Sequence, residues 1–280
     1  MNGVIPVVIT HRGNQEYFQL VVRQALSYNE RVILIGDESN KDTPGVEHYS
    51  GQELRTPAAE IFEDNYVHMH VKPNAAYRRA NIIRWFLITE LARQRNFPVV
   101  FACDSDVMLY TDVSVAEPSG VYDMACSIPS YQPEFRWSAS GHVSYWKLDT
   151  LFEFCVFADY MYANPRMLKK LKTKWNWHQE TGTPGGICDM TLLWLFIQNE
   201  PGVYIDLAAL VRDTVFDHNF LTPGRWRMAG GAKDLEWRDG QPWGYHLDHK
   251  KRVRFNALHF QGSAKDILKR YFRPRSQQID

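Results

Sequence analysis

The chain has 280 residues, with 32 Lys+Arg against 32 Asp+Glu, and is 45% hydrophobic and 23% charged. This is the composition of a folded protein rather than a disordered one, and the zero net charge excludes attachment to nucleic acid through bulk electrostatics. Cys103, Cys126, Cys155 and Cys188 are scattered without a short spacing and read as reduced thiols. With no run of about 18 apolar residues for a transmembrane anchor, the expectation is a cytoplasmic protein.

Val4–Thr10 is a strand-length apolar run closed by the polar Thr10-His11-Arg12-Gly13 turn, which reads as a first strand and not as a signal peptide. Glu16–Tyr28 places Phe18, Val21, Val22, Ala25 and Leu26 on one helical face, and Arg31–Asp37 is an apolar strand ending in Gly36-Asp37. Together they predict a βαβ unit and a parallel sheet covered on both faces. Ligands sit at the carboxyl ends of such strands, where Thr10, His11, Arg12 and Asp37 fall.

Glu38–Glu63 predicts loop with a short helical piece. Tyr66–Lys72 alternates and predicts a strand with His68 and His70 on its solvated face. Ala75–Arg95 predicts an amphipathic helix with Ile82, Phe86, Leu87 and Leu91 inside, and it carries Arg78, Arg79 and Arg84. Pro98–Cys103 predicts a buried strand that runs into Asp104-Ser105-Asp106.

Later segments predict strands at Asp123–Ile128 and His142–Trp146 and a helix over Asp149–Tyr162. A basic, aromatic stretch follows at Leu168–Trp177, then a Gly/Pro turn at Thr181–Gly186 opening a helix over Asp189–Gln198. Val203–Leu207 predicts a strand, residues 221–250 a Gly/Trp/His-rich loop, Asn256–Phe260 a last strand, and 266–280 a polar, partly basic tail. Without a repeat or a Gly/Ser linker, the chain reads as a single domain with two functional halves, 1–120 and 121–265, the second with a closing motif, and a tail at 266–280.

Asp104-Ser105-Asp106 is the one Asp-x-Asp in the chain. Two carboxylates at a strand end repel unless a positive charge lies between them, and a hard divalent cation is a common solution. Near the other end, His259-Phe-Gln-Gly262-Ser-Ala-Lys265 closes a strand. It offers an imidazole nitrogen suited to Mn²⁺, a glycine that admits close backbone approach, and a lysine charge for phosphate.

These two motifs resemble the nucleotide-sugar-dependent glycosyltransferases of the GT-A fold, and within them family eight, which includes glycogenin and bacterial lipopolysaccharide galactosyltransferases. The resemblance implies an α/β, Rossmann-like mixed sheet flanked by helices. It implies a metal-dependent hexosyltransferase that moves a sugar from a UDP-sugar to the hydroxyl of a glycan or other acceptor, with retention. It implies nucleotide contacts from Thr10, Arg12, Asp37, Arg84, Asp104, Gly262 and Lys265. It implies Mn²⁺ (or Mg²⁺) held by Asp104, Asp106 and His259, and Asp189 as the acidic residue beside donor sugar and acceptor. The chain departs from the family at Ala139, Met190 and Asp266-Ile267, where Asn, a second polar residue and Pro-Trp are usual. Strand-end aspartates also serve metal-dependent nucleotidyltransferases and phosphohydrolases, and a sugar-binding module without turnover is the other alternative.

The 9 Trp, 14 Tyr and 15 Phe suit either a heavy core or a carbohydrate-facing surface. Trp137, His142, Trp175-Asn-Trp177-His178, Trp243, His246 and Asp217-His218-Asn219 are candidates for an acceptor pocket, with core packing and loop anchoring as the alternatives.

Overall fold

A computed structural model describes residues 3–130, 132–211 and 213–275. The predicted opening unit forms: β1 (Val7–Thr10), α1 (Glu16–Tyr28) and β2 (Val32–Gly36), with β1 and β2 parallel. The chain continues through β3 (Glu47–Ser50), α2 (Pro57–Asn65), α3 (Ala75–Gln94), β4 (Val99–Asp104), β5 (Val107–Leu109) and α4 (Val113–Ala116). The second half holds β6 (Met124–Ser127), β7 (Ser140–Lys147), α5 (Leu148–Ala163), α6 (Pro165–Thr181), α7 (Asp189–Asn199) and β8 (Tyr204–Asp206). Six further strands follow: β9 (Thr214–Phe216), β10 (Met228–Ala229), β11 (Ala232–Lys233), β12 (Leu235–Arg238), β13 (Gln241–His246) and the nine-residue β14 (Lys251–His259).

The seven-stranded main sheet has the order β3-β2-β1-β4-β7-β6-β8. It is parallel from β3 to β4, and β7 runs against both β4 and β6. Alternate residues on the strands feed two cores. Val8, Ile33, Ala102 and Trp146 pack against α2, α3, α5 and α7, while Val7, Ile9, Phe101 and Tyr145 pack toward α1 and the smaller sheet. That smaller sheet, β12-β13-β14-β5 with β9 beside β14, places His259 directly across from Val107. All four thiols are free, and Cys188 alone of them is half-buried.

Three expectations need correction. Residues 66–72 form no strand; the segment makes an isolated bridge from His70 to Gly186. Gly186 has φ +145°, and a Cβ there would lie 2.4 Å from the Met69 carbonyl oxygen, so the close pass of the two backbones uses a glycine instead of a ladder. Residues 221–250 are not loop but carry β10 to β13, and β14 starts at Lys251 rather than Asn256. Their strands are short and interrupted by Gly230, Gly231 and Gly240 at positive φ, which hides the alternation of Gln241–His246. The stretch after Gly262 is no loose tail as far as it is described. Gly262–Tyr271 is a 3₁₀ helix that buries Ala264 and Leu268, and Gln24 of α1 hydrogen-bonds both the carbonyl (3.0 Å) and the N–H (2.9 Å) of Arg273. Residues 276–280 lie outside the described residues. Among the described residues, no helix is long and apolar enough to cross a membrane.

Candidate active site

The site forms where β4 ends. Thr10 pairs with Asp104 across the β1–β4 ladder, so the first strand's end and the Asp-x-Asp triplet adjoin through backbone register. From Asp104 the chain passes into β5 of the other sheet, and the Phe260 N–H donates to the Asp106 carbonyl at 2.8 Å. This crossing between sheets brings residues 106 and 259 together.

One ligand atom from each of Asp104, Asp106 and His259 can be chosen so that all lie within 4.8 Å of one another. His259 Nδ1–H donates to the His218 carbonyl (2.6 Å), which leaves Nε2 facing Asp106 Oδ1 at 3.4 Å. A ligating histidine is commonly oriented in this way by its other ring nitrogen. Two carboxylates and one oriented imidazole are a donor set that fits a divalent cation, and the nitrogen suits Mn²⁺ better than the oxygen-seeking Mg²⁺. Lys265 Nζ is ion-paired with the second oxygen of Asp106. Burial alone pushes Asp106 up, but His259 and Lys265 outweigh it and hold the carboxyl well below the usual range. Burial likewise lowers His259, and Asp106 more than reverses the effect, so its pKa is raised.

Behind His259 lies a buried polar support. His142 stacks on it at 4.2 Å and 12° and meets the Asp217 carbonyl through Nε2 at 2.9 Å. His218 Nδ1 meets Ser127 Oγ at 2.9 Å. Asp217 Oδ2 accepts the His259 N–H at 3.1 Å, and Oδ1 pairs with Lys233 Nζ at 2.7 Å, both side chains being almost wholly buried. His142 and Asp217-His218 therefore support the site from behind rather than line a pocket. Lys233 carried no sequence signal, because it stands in a two-residue strand within the stretch read as loop.

The opposite wall is α3. Its Arg84 bridges Asp104 and Asp189, with Nη2 to Asp189 Oδ2 at 2.9 Å. Burial would lower the Arg84 pKa, but the two carboxylates raise it overall. Asp189, in the first turn of α7, is buried, and that burial pushes its carboxyl up against the pull of Arg84. Sequence positions 84, 104 and 189 thus meet at one ion-pair bridge.

Asp37 follows the last residue of β2 and organises the turn after β1. Its carboxylate accepts from the Ser39 hydroxyl (2.5 Å) and from the N–H groups of Gly13 (3.0 Å) and Ser39 (2.9 Å), and these bonds overcome the effect of burial and lower its pKa. Arg12 is exposed on that turn. His11 stacks on Phe18 at 4.1 Å and meets Ser105 Oγ at 2.8 Å, tying the turn to the acidic triplet. Gly262 has φ +63°, and no atom lies within 4 Å of where a Cβ would stand, so its surroundings on that side are open. Trp243 and His246 lie on β13, in the smaller sheet and away from the Asp189 helix, with His246 packed against Trp226 at 4.8 Å.

No family model matches this sequence, and no curated protein matches it. Solved structures do. Mouse xyloside xylosyltransferase 1 superposes with a TM-score of 0.50 over 75% of this chain and 87% of its own, at 10% identity. The chain has the GT-A glycosyltransferase fold. The galactosyltransferase LgtC, solved with donor and acceptor sugar analogues, gives a TM-score of 0.49 at 12% identity over 95% of each chain. A glycosyltransferase involved in glycosylation of the major capsid of PBCV-1 gives 0.42 at 12% identity over 96% of this chain and 100% of that one.

Proposed function

We propose that the protein is a retaining, metal-dependent hexosyltransferase that moves a sugar from a UDP-sugar to an acceptor hydroxyl. The observation that carries the reading is the convergence of Asp104, Asp106 and His259 at the strand end of a GT-A fold. A divalent cation held by these residues supplies charge stabilisation for the departing diphosphate, worth several kcal/mol in such sites.

The chain's own residues do the rest. Lys265, already beside Asp106, is placed to share its charge with a phosphate oxygen. The open backbone at Gly262 admits that oxygen closely. Thr10, Arg12 and Asp37 border the end of β1 and hold nucleoside and ribose. Arg84 fixes Asp189 and Asp104 relative to each other, so that Asp189 orients the donor sugar against the acceptor hydroxyl. In the transfer the bond from the anomeric carbon to the phosphate oxygen breaks, the acceptor oxygen bonds to that carbon, and its proton passes to the departing phosphate oxygen. UDP and the glycoside leave.

The test is calorimetric titration of UDP with and without MnCl₂ on wild type and Asp106→Asn. Binding that requires Mn²⁺ in the wild type and falls at least about a hundredfold in the variant is expected for loss of a ligand. Mn²⁺-independent binding, or none, overturns the assignment. Release of UDP rather than pyrophosphate from UDP-sugars separates transfer from nucleotidyl chemistry.

A further inference from the structure

The wall beside Asp189 carries cations without matching carboxylates. Three segments form it. Residues 70–72 lie against the turn into α7: His70 bridges to Gly186, Val71 N–H donates to the Gly185 carbonyl at 3.1 Å, and Lys72 N–H donates to His70 Nδ1 at 3.0 Å. On α3, Arg78 is close enough to His70 and to Cys188, the residue before Asp189, for its charge to act on both. The third is the loop around Arg136, held by the buried Lys174 of α6. Its Nζ donates to the carbonyls of Phe135 and Arg136 and to His178 Nε2, and His178 Nδ1–H donates to the Thr183 carbonyl at 3.0 Å.

The electrostatics are one-sided. Burial, then Arg78, His68, Lys72 and His178, press the His70 pKa down to about 4. Burial, Lys174 and Arg136 likewise outweigh the Thr183 carbonyl and lower His178. Among the described residues Lys72, Arg78 and Arg136 join no ion pair, whereas neighbouring Arg79 is taken up by Glu63 at 3.6 Å. Glu134 is the single acid of the 132–138 loop, and it is exposed. Arg78 Nε is buried with no hydrogen-bond partner. A buried donor left unmatched is costly, and a shift of the Arg78 side chain that turns this N–H to a ligand oxygen removes that cost.

Resting on the glycosyltransferase reading, we propose that the acceptor is a phosphorylated sugar, its phosphate received by Arg78, Lys72 and Arg136 while its hydroxyl faces Asp189. Guanidinium groups bind phosphate in a fork geometry that a neutral glycan does not use.

The experiment saturates the protein with UDP and MnCl₂, so that the donor phosphate site is filled, and then titrates glucose 6-phosphate and galactose 6-phosphate against glucose and galactose. At least one sugar phosphate is expected to bind about tenfold or more tighter than its neutral parent, the scale of one charge-assisted hydrogen bond. Arg78→Gln combined with Lys72→Gln is expected to erase that difference while leaving UDP affinity unchanged and the melting temperature no lower. Equal binding of phosphorylated and neutral sugars, no binding of either phosphate, or a preference that survives in the double variant overturns the proposal. Failure of UDP itself to bind overturns the glycosyltransferase reading, and with it the acceptor role.

Discussion

Replacing Lys233 with Met tests the buried support behind the site. The substitution keeps most of the aliphatic stem and deletes the ammonium. Asp217 then retains one donor, the His259 N–H at 3.1 Å, and loses the Nζ at 2.7 Å. The carbonyls of Asn219 and Thr222 lose the same donor. With lysine and aspartate side chains 3% and 1% exposed, water cannot replace what is removed. Leaving one member of a buried pair uncompensated costs about 3–5 kcal/mol. For a domain of this size that is a drop on the order of 10 °C in melting temperature. Urea titration gives the loss as a fall in midpoint at constant slope. Adding Asp217→Asn removes the stranded charge and is expected to restore part of the loss. A single variant within about 1 kcal/mol of wild type, or a double variant no better than the single, refutes the reasoning.

Two further outcomes follow from the backbone and from titration. Gly186→Ala forces a Cβ to 2.4 Å from the Met69 carbonyl and 2.5 Å from His70 Cα, both main-chain atoms that cannot swing aside. It is expected to cost about 1–3 kcal/mol by thermal melting, clearly more than Gly182→Ala, where φ is also positive (+62°) but nothing lies within 4 Å. His70, lowered to about 4 by burial and the neighbouring cations, stays neutral in the fold while the unfolded chain titrates near pH 6.5. The unfolded state therefore takes up the proton first. Stability is complete above about pH 6.5 and declines as pH falls toward about 4. The urea midpoint of His70→Gln, followed across that window, is expected to vary less with pH than that of wild type.

The opening of the α/β fold was legible because its signals are local. The βαβ opening announces itself in the helical spacing of Phe18, Val21, Val22 and Ala25 and in the unbroken apolar run Val32–Ile35. The acidic triplet was legible through its place directly after a strand. The histidine motif was legible as a strand end, and the structure brings it to that triplet. The strands between residues 228 and 246 were hidden because two- to six-residue segments broken by glycine turns show too few repeats of their period. The 3₁₀ helix after Gly262 was hidden because Ala264 and Leu268 are its only buried residues among many charges.

Residue order by itself determined the ends of β1, β2 and β4, the apolar faces of α1 and α3 and the kinds of side chain available, because backbone periodicity and turn chemistry act over a few residues. Which distant groups meet was decided by the tertiary structure alone. The passage of the chain from β4 into β5 of a second sheet sets Val107 opposite His259. The length of α3 carries Arg84 to both Asp104 and Asp189. The Lys233–Asp217 pair exists because packing excludes water around it. Such contacts depend on sheet register and on burial, quantities that belong to the assembled molecule and leave no trace in the spacing of residues along the chain.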